Sequence, residues 1–386
     1  MAKRINNLLV ILLLTIIPTL AVWAPFFFKL ESFWGIPLTQ DGMATIVANY
    51  DGPLFLVVAK TFYNPELIKA NFQFTLPTEY YAAHFPLFPL LIRTFSFLAG
   101  YPYSMLIITV ASSFLALYFF HKLIKEYVEG NQALWLTFVI SILPARWLIA
   151  RSVGSAEPLF IASIIASVFY FRKRKYFWAG IWGMIAQLTK SPGILLFVAY
   201  ILVLVVPKVK QIATTSVSKW VNSVNVGKIY PIFLIPLSLL GLFIFYAFRY
   251  GDFFAYFRSG DNIHLFFPPF QIFNYNAPWV GTFWLEEIIL VYLFGILGLI
   301  KLVKLKEPVL YWFYGVFFFS TLFVSHRDLI RYSLPLVPFL FVAFSEYVAK
   351  KEFRIVMAVL IIPIYLFSLA FISQNVMQIS DWGPFL

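Results

Sequence analysis

The chain has 386 residues, 61% of them hydrophobic and 12% charged, about half the charged share of a soluble domain. With a mean hydropathy of +0.84, this excludes an ordinary soluble fold and predicts an all-α, polytopic integral membrane protein. The chain has no cysteine, which excludes disulfides and thiolate metal sites. Its net charge of +12 has to be judged by where the basic residues fall.

Apolar runs predict about eleven spans, near 7–28, 103–121, 132–150, 156–171, 177–190, 191–206, 230–248, 283–300, 308–325, 332–349 and 355–373, in a single transmembrane domain over 1–386. The first run, Leu8–Phe28, is too long for the apolar core of a cleaved signal and is expected to remain as a span. With the N-terminus inside, the inner loops take 18 of the 29 basic residues but only five of the 17 acidic ones. That asymmetry is the positive-inside pattern. It assigns the excess charge, including Lys208, Lys210, Lys219 and Lys228, to an anionic membrane surface and argues against nucleic acid as partner. The outer face is then left with two long segments, 29–103 and 250–282, rich in aromatic residues, Pro and Asn. Long loops of this kind usually carry function.

The first long loop contains Asn49-Tyr50-Asp51-Gly52, followed by Pro53 and an apolar run to Lys60. Asp before Pro at a first turn is a helix-start signal, so Asp51 reads either as an N-cap or as a general base toward a hydroxyl. A carboxylate there is also compatible with a divalent metal. Asp41, in Thr39-Gln40-Asp41-Gly42, competes for that role, although Asp-Gly is an ordinary turn. His84 opens an apolar stretch, Phe85–Leu98, that Pro86, Pro89 and Arg93 break; it reads as an interfacial helix. A lone His is more often a structural partner than a catalyst. The chain has only four His and no HExxH spacing, which leaves no zinc motif and no assigned metal site.

Further along, Arg146, Arg151 and Glu157 frame a short outer turn before a helix. Glu157 suits the helix dipole, and the two Arg read as snorkelling side chains or as an anion site. Lys190, in Lys190-Ser191-Pro192-Gly193, interrupts an apolar segment. His326-Arg327-Asp328-Leu329-Ile330-Arg331 is the densest charged cluster of the outer face. Arg327 and Arg331 are four apart and would share a helix face. Trp279 and Trp284 read as interfacial belt residues in preference to sugar-stacking platforms. No Walker, GxGxxG or GxSxG motif is present.

Asn49-Tyr50-Asp51-Gly52, His84-Phe85-Pro86-Leu87-Phe88-Pro89, Ser155-Ala156-Glu157-Pro158-Leu159-Phe160, Lys190-Ser191-Pro192-Gly193 and Arg331-Tyr332 together resemble, in order, the landmarks of the PIG-V-like mannosyltransferases. These are membrane enzymes of the GT-C glycosyltransferase class. The resemblance runs from about 45 to 340. The chain departs from the family pattern at Tyr50, where Trp is usual, at Gly154–Glu157 and at Lys190–Gly193. The resemblance implies a GT-C-like fold and a polyprenyl or dolichyl phosphate-linked sugar donor. It also implies inverting transfer of a hexose, mannose by the family, to a glycolipid or glycan acceptor on the non-cytoplasmic face. Asp51 would be the base; Arg146, Arg151, Lys190, Arg327 and Arg331 would meet the donor phosphate. No cofactor is required, though a divalent metal is compatible. The protein would lie in the cell membrane of a prokaryote or the endoplasmic reticulum of a eukaryote. The rival reading, a transporter or flippase of lipid-linked sugars, calls for polar residues at span centres, which are almost wholly apolar here.

Overall fold

The computed structural model describes residues 2–74, 76–208, 226–279, 281–282 and 284–386. The expected loop lysines Lys210 and Lys219 lie outside the described residues. The described chain is mostly helical, with one two-stranded ribbon, Ser32–Phe33 against Ile36–Pro37. This is the architecture of an α-helical membrane protein, because helices satisfy their own backbone groups where water is absent.

The expected count of eleven spans is not met. Among the described residues, four helices are long and apolar enough to cross a bilayer: Asn6–Phe27, Leu87–Ile124, Gly227–Tyr250 and Lys351–Gln374. A fifth is reached if Gln132–Ile142 and Ala145–Ser152, bent by 73°, form one broken span. A crossing needs about 20 residues at 1.5 Å each. Glu157–Arg172, Tyr176–Thr189, Ile194–Val205 and Pro308–Thr321 are helical where spans are expected but have only 16, 14, 12 and 14 residues. Leu285–Lys304 reaches 20 residues but carries Glu286, Glu287, Lys301 and Lys304 at its ends. The expected span at 332–349 is divided among Leu329–Tyr332, Val337–Ala343 and Ser345–Val348.

The helices pack as two compact units. The first comprises residues 1–162, 243–260 and 345–386; the second comprises 163–242 and 261–344. In the first unit, the N-terminal helix packs against Leu87–Ile124, Gln132–Ile142 and Ala145–Ser152, and Lys351–Gln374 packs on Ala145–Ser152. The first long loop folds into the short helices Met43–Val47, Gly52–Thr61 and Pro65–Asn71 and a 3-10 turn at Thr78–Ala83. The helix expected over Phe85–Leu98 forms from Leu87. It is set off from the next stretch at Ala99 and at Gly100, whose φ of +72° breaks the helix. In the second unit, Ile194–Val205 packs on Pro308–Thr321, and Leu285–Lys304 packs on Pro308–Thr321 and Val337–Ala343.

Candidate functional site

Asp51 occupies the N-cap position of Gly52–Thr61: the amide of Phe55 donates to its carbonyl at 3.0 Å. Its carboxylate, however, makes no capping bond to the helix amides. The N-cap and general-base readings are therefore separable, because the backbone alone does the capping. The side chain is half-buried.

The turn that presents Asp51 is shaped from both sides. Tyr50 takes a left-handed φ of +48°, a conformation that a bulky residue adopts only when its surroundings impose it. Asn49, fully buried, is one such constraint. Its Nδ2 donates to the carbonyl of Ile372 at 2.7 Å, and its Oδ1 accepts from Asn375 Nδ2 at 3.1 Å. Its backbone bridges Val376, and the amide of Met377 donates to Ala48 at 2.8 Å. Gly52 is the other constraint. A Cβ there would stand 2.2 Å from the carbonyl oxygen of Val47, so only glycine lets the chain turn back so tightly.

Arg146 and the turn before Glu157 are each linked to this turn through one intervening side chain. Arg146 lies over the ring of Phe371 at 3.7 Å, and that ring packs against Tyr50 at 5.6 Å between centroids. The cation is thus one aromatic ring from the residue that precedes Asp51, in cation–π geometry. On the other flank, the side chain of Met105 fills the space beside both Gly52 and Gly154. It joins the Asp51 turn to the turn leading into Glu157. Glu157 is buried, accepts from the hydroxyl of Ser155 and starts its helix, where the dipole favours a carboxylate.

His84 is buried and packs edge-on against Phe55, one helical turn beyond Asp51, at 5.2 Å. Its carbonyl accepts from the hydroxyl of Tyr63. Burial, with Tyr246 and Tyr250 close by, holds the Tyr63 phenol well above its usual range, so it remains a donor. Arg93 serves the same helix from its other end, donating to the carbonyls of Ala59 and Lys60, both at 3.1 Å. These are carbonyls a helix C-terminus leaves open. Asp41 stands exposed in a turn before Gly42, whose φ is +62°.

Arg151 is engaged differently from the anion-binding role expected of it. It is fully buried, and its guanidinium donates to the carbonyls of Ser141, Leu14 and Thr15. Leu14 is the residue whose carbonyl Pro18 leaves without an amide donor, and Ser141 lies in the last turn of its helix. Arg151 completes backbone hydrogen bonding inside the first unit.

The second unit holds the remaining expected cations. Lys190 lies in extended conformation between Tyr176–Thr189 and a 3-10 turn at Ser191–Gly193. Gly193 is pressed against Gln187, where a Cβ would approach backbone atoms to 2.5 Å. Arg327 is exposed, and Arg331 pairs with buried Asp328 at 3.5 Å. His326 accepts from the amide of Asp328 at 3.0 Å through Nδ1. Its ring meets that of His264 at 4.3 Å, with Tyr332 at 5.2 and 5.7 Å from the two. Sequence reasoning does not find His264. The signal lies in pairing, because Leu265 bridges Val324 and the amide of Ser325 donates to His264 at 2.8 Å. Trp279 and Trp284, expected as belt residues, pack against a cluster of Ile272, Leu285, Ile288, Val324 and Leu329. The indole of Trp279 donates to Ile272 at 3.0 Å.

Among the described residues, no group of three or more His, Asp or Glu is arranged to hold a metal ion. No family model matches the chain, and no curated protein matches it.

Proposed function

We propose that the protein is an integral membrane glycosyltransferase of GT-C type. It moves a hexose, mannose by its resemblance to the PIG-V-like enzymes, from a polyprenyl or dolichyl phosphate to an acceptor hydroxyl on the non-cytoplasmic face. In this reading Asp51 takes the proton of the acceptor hydroxyl as that oxygen bonds to the anomeric carbon. The bond from that carbon to the phosphate oxygen breaks, and the lipid phosphate leaves with inversion. Arg146 is the cation of the same unit suited to the leaving phosphate, where one preorganised donor is worth about 3 kcal/mol. The roles of Lys190, Arg327 and Arg331 toward the phosphate rest on the resemblance alone. Arg151 is assigned to structure.

The observation that carries the reading is the carboxylate of Asp51. It stands at a helix start without capping it, in a turn held from both sides and with Arg146 one ring away. A carboxylate needed only as a cap would accept from the first amides of the helix.

The test is Asp51→Asn in the purified full chain, assayed for transfer of labelled hexose from a polyprenyl phosphate. General-base loss is worth about 10²–10⁴-fold, so transfer should fall by at least about a hundredfold while insertion and thermal stability stay as in the parent. Full activity in that variant removes Asp51 as the base. Uptake of lipid-linked sugar into proteoliposomes without covalent transfer supports the transporter reading instead.

A further inference from the structure

Residues 378–385 run on from the strand-like pairing that fixes the Asp51 turn, and they close a cleft of about 180 Å³ against the end of Pro65–Asn71. Its base is aromatic. Phe72 and Phe385 are buried and meet edge-on at 5.1 Å, with Phe74 at 6.0 Å from Phe385. Its rim is polar: Gln73, Gln378 and Asp381 are exposed and line the same space. Asp381 is steadied by the amide of Gly383, which donates to its Oδ1 at 2.8 Å. A carboxylate offers about four acceptor positions, so one such bond leaves most of them for a ligand.

We propose that this cleft binds the sugar ring of the acceptor, a neutral hexose, which rests on the transferase reading above. Three features support the assignment. A pyranose has an apolar face that suits an aromatic base, and hydroxyls that both donate and accept, as side-chain amides and a carboxylate require. The volume is below the roughly 300–1,000 Å³ of pockets for drug-sized ligands, which suits one ring better than an extended glycan. Asp381 and Lys69 both line the cleft and leave it without net charge, which suits a neutral ring. The cleft is tied to the Asp51 segment through two contacts of the chain. Gln378 follows Met377, whose amide bonds Ala48, and Gly383–Phe385 packs on Gly52–Thr61, the helix that Asp51 begins.

The test is saturation-transfer NMR of methyl α-mannoside and methyl α-glucoside on the detergent-solubilised full chain, beside steady-state transfer to the same hexosides. Binding is expected in the parent and in Asp51→Asn. It should weaken at least tenfold in Gln73→Ala/Gln378→Ala and in Asp381→Asn, with KM for the hexoside rising and KM for the polyprenyl-phosphate sugar unchanged. All three positions are exposed, and unchanged thermal unfolding of the variants shows that the loss is local. Absence of hexoside binding in the parent, or equal binding in the rim variants, overturns the cleft. A parallel rise in KM for the lipid-linked sugar assigns the cleft to the donor and overturns the acceptor assignment. Weakened binding in the rim variants beside full transfer by Asp51→Asn removes the general base and leaves the cleft standing.

Discussion

Arg151 reaches Leu14, at 3.2 Å, at the carbonyl that Pro18 deprives of its amide. The second proline of that helix, Pro25, leaves Ala21 in the same condition, and the hydroxyl of Tyr365 donates to Ala21 at 2.9 Å. Each interruption of the first helix is thus answered by a side chain from a later one. In a bilayer this matters more than in water, because no solvent can take the open carbonyl.

Arg151→Met should therefore behave as a stability mutation. Each buried carbonyl left without a donor costs about 1–3 kcal/mol; Leu14 and Ser141 would be left so, whereas Thr15 still accepts from the hydroxyl of Thr19, so loss of a few kcal/mol or failure to accumulate is expected. Thermal unfolding in detergent measures it. Pro18→Ala restores the amide to Leu14, so the double variant Pro18→Ala/Arg151→Met should recover part of the loss; strict additivity would show that the two residues are not coupled.

Gly52→Ala should be costly despite the mildness of the change. The added methyl meets the backbone oxygen of Val47, which cannot rotate away as a side chain does. Overpacking of this kind costs about 1–3 kcal/mol, and the Asp51 turn must shift to relieve it. Lower unfolding temperature together with lower transfer is the expected outcome. Gly241→Ala, with open space at its Cβ, is the control and should change little.

Arg146→Ala removes the cation over Phe371. If it stabilises the leaving phosphate, kcat should fall about a hundredfold, within the range for loss of one preorganised donor. Arg146→Lys should recover only part of that activity, because a compact ammonium does not stack as a planar guanidinium does. Equal loss of stability and activity in both variants would mark a packing role only.

His326→Ala should destabilise the second unit by about 1 kcal/mol, the net worth of one hydrogen bond, by removing the acceptor for the Asp328 amide. His326→Asn can accept the same amide through its side-chain oxygen and should retain most of that stability. Hydrogen exchange at Asp328 follows the bond directly: it should quicken in His326→Ala and remain slow in His326→Asn.

What the sequence disclosed differs between helices and site. Apolar runs located the helices from the first to Lys351–Gln374 because periodic burial is a local property. Their status as crossings was less legible: the bend after Ile142 and the division of 329–348 depend on packing between segments. Asp51 was legible from its helix-start context, including the ambiguity between cap and base. Arg151 was misleading for a physical reason: its partners are backbone carbonyls, one of them opened by a proline 133 residues earlier, and carbonyls leave no mark in composition. His264 was invisible for a related reason, since its partner His326 meets it only through the pairing of Leu265 with Val324.

The latch on Asn49 also sets the order in which the protein can be made. Asn49 leaves the ribosome 323 residues ahead of Ile372, the carbonyl that holds it. Until the segment 372–377 has been synthesised and inserted, the Asp51 turn has the tight return at Gly52 but not the contacts with Ile372, Asn375, Val376 and Met377. The turn would therefore reach its final shape only after residue 377 has joined it.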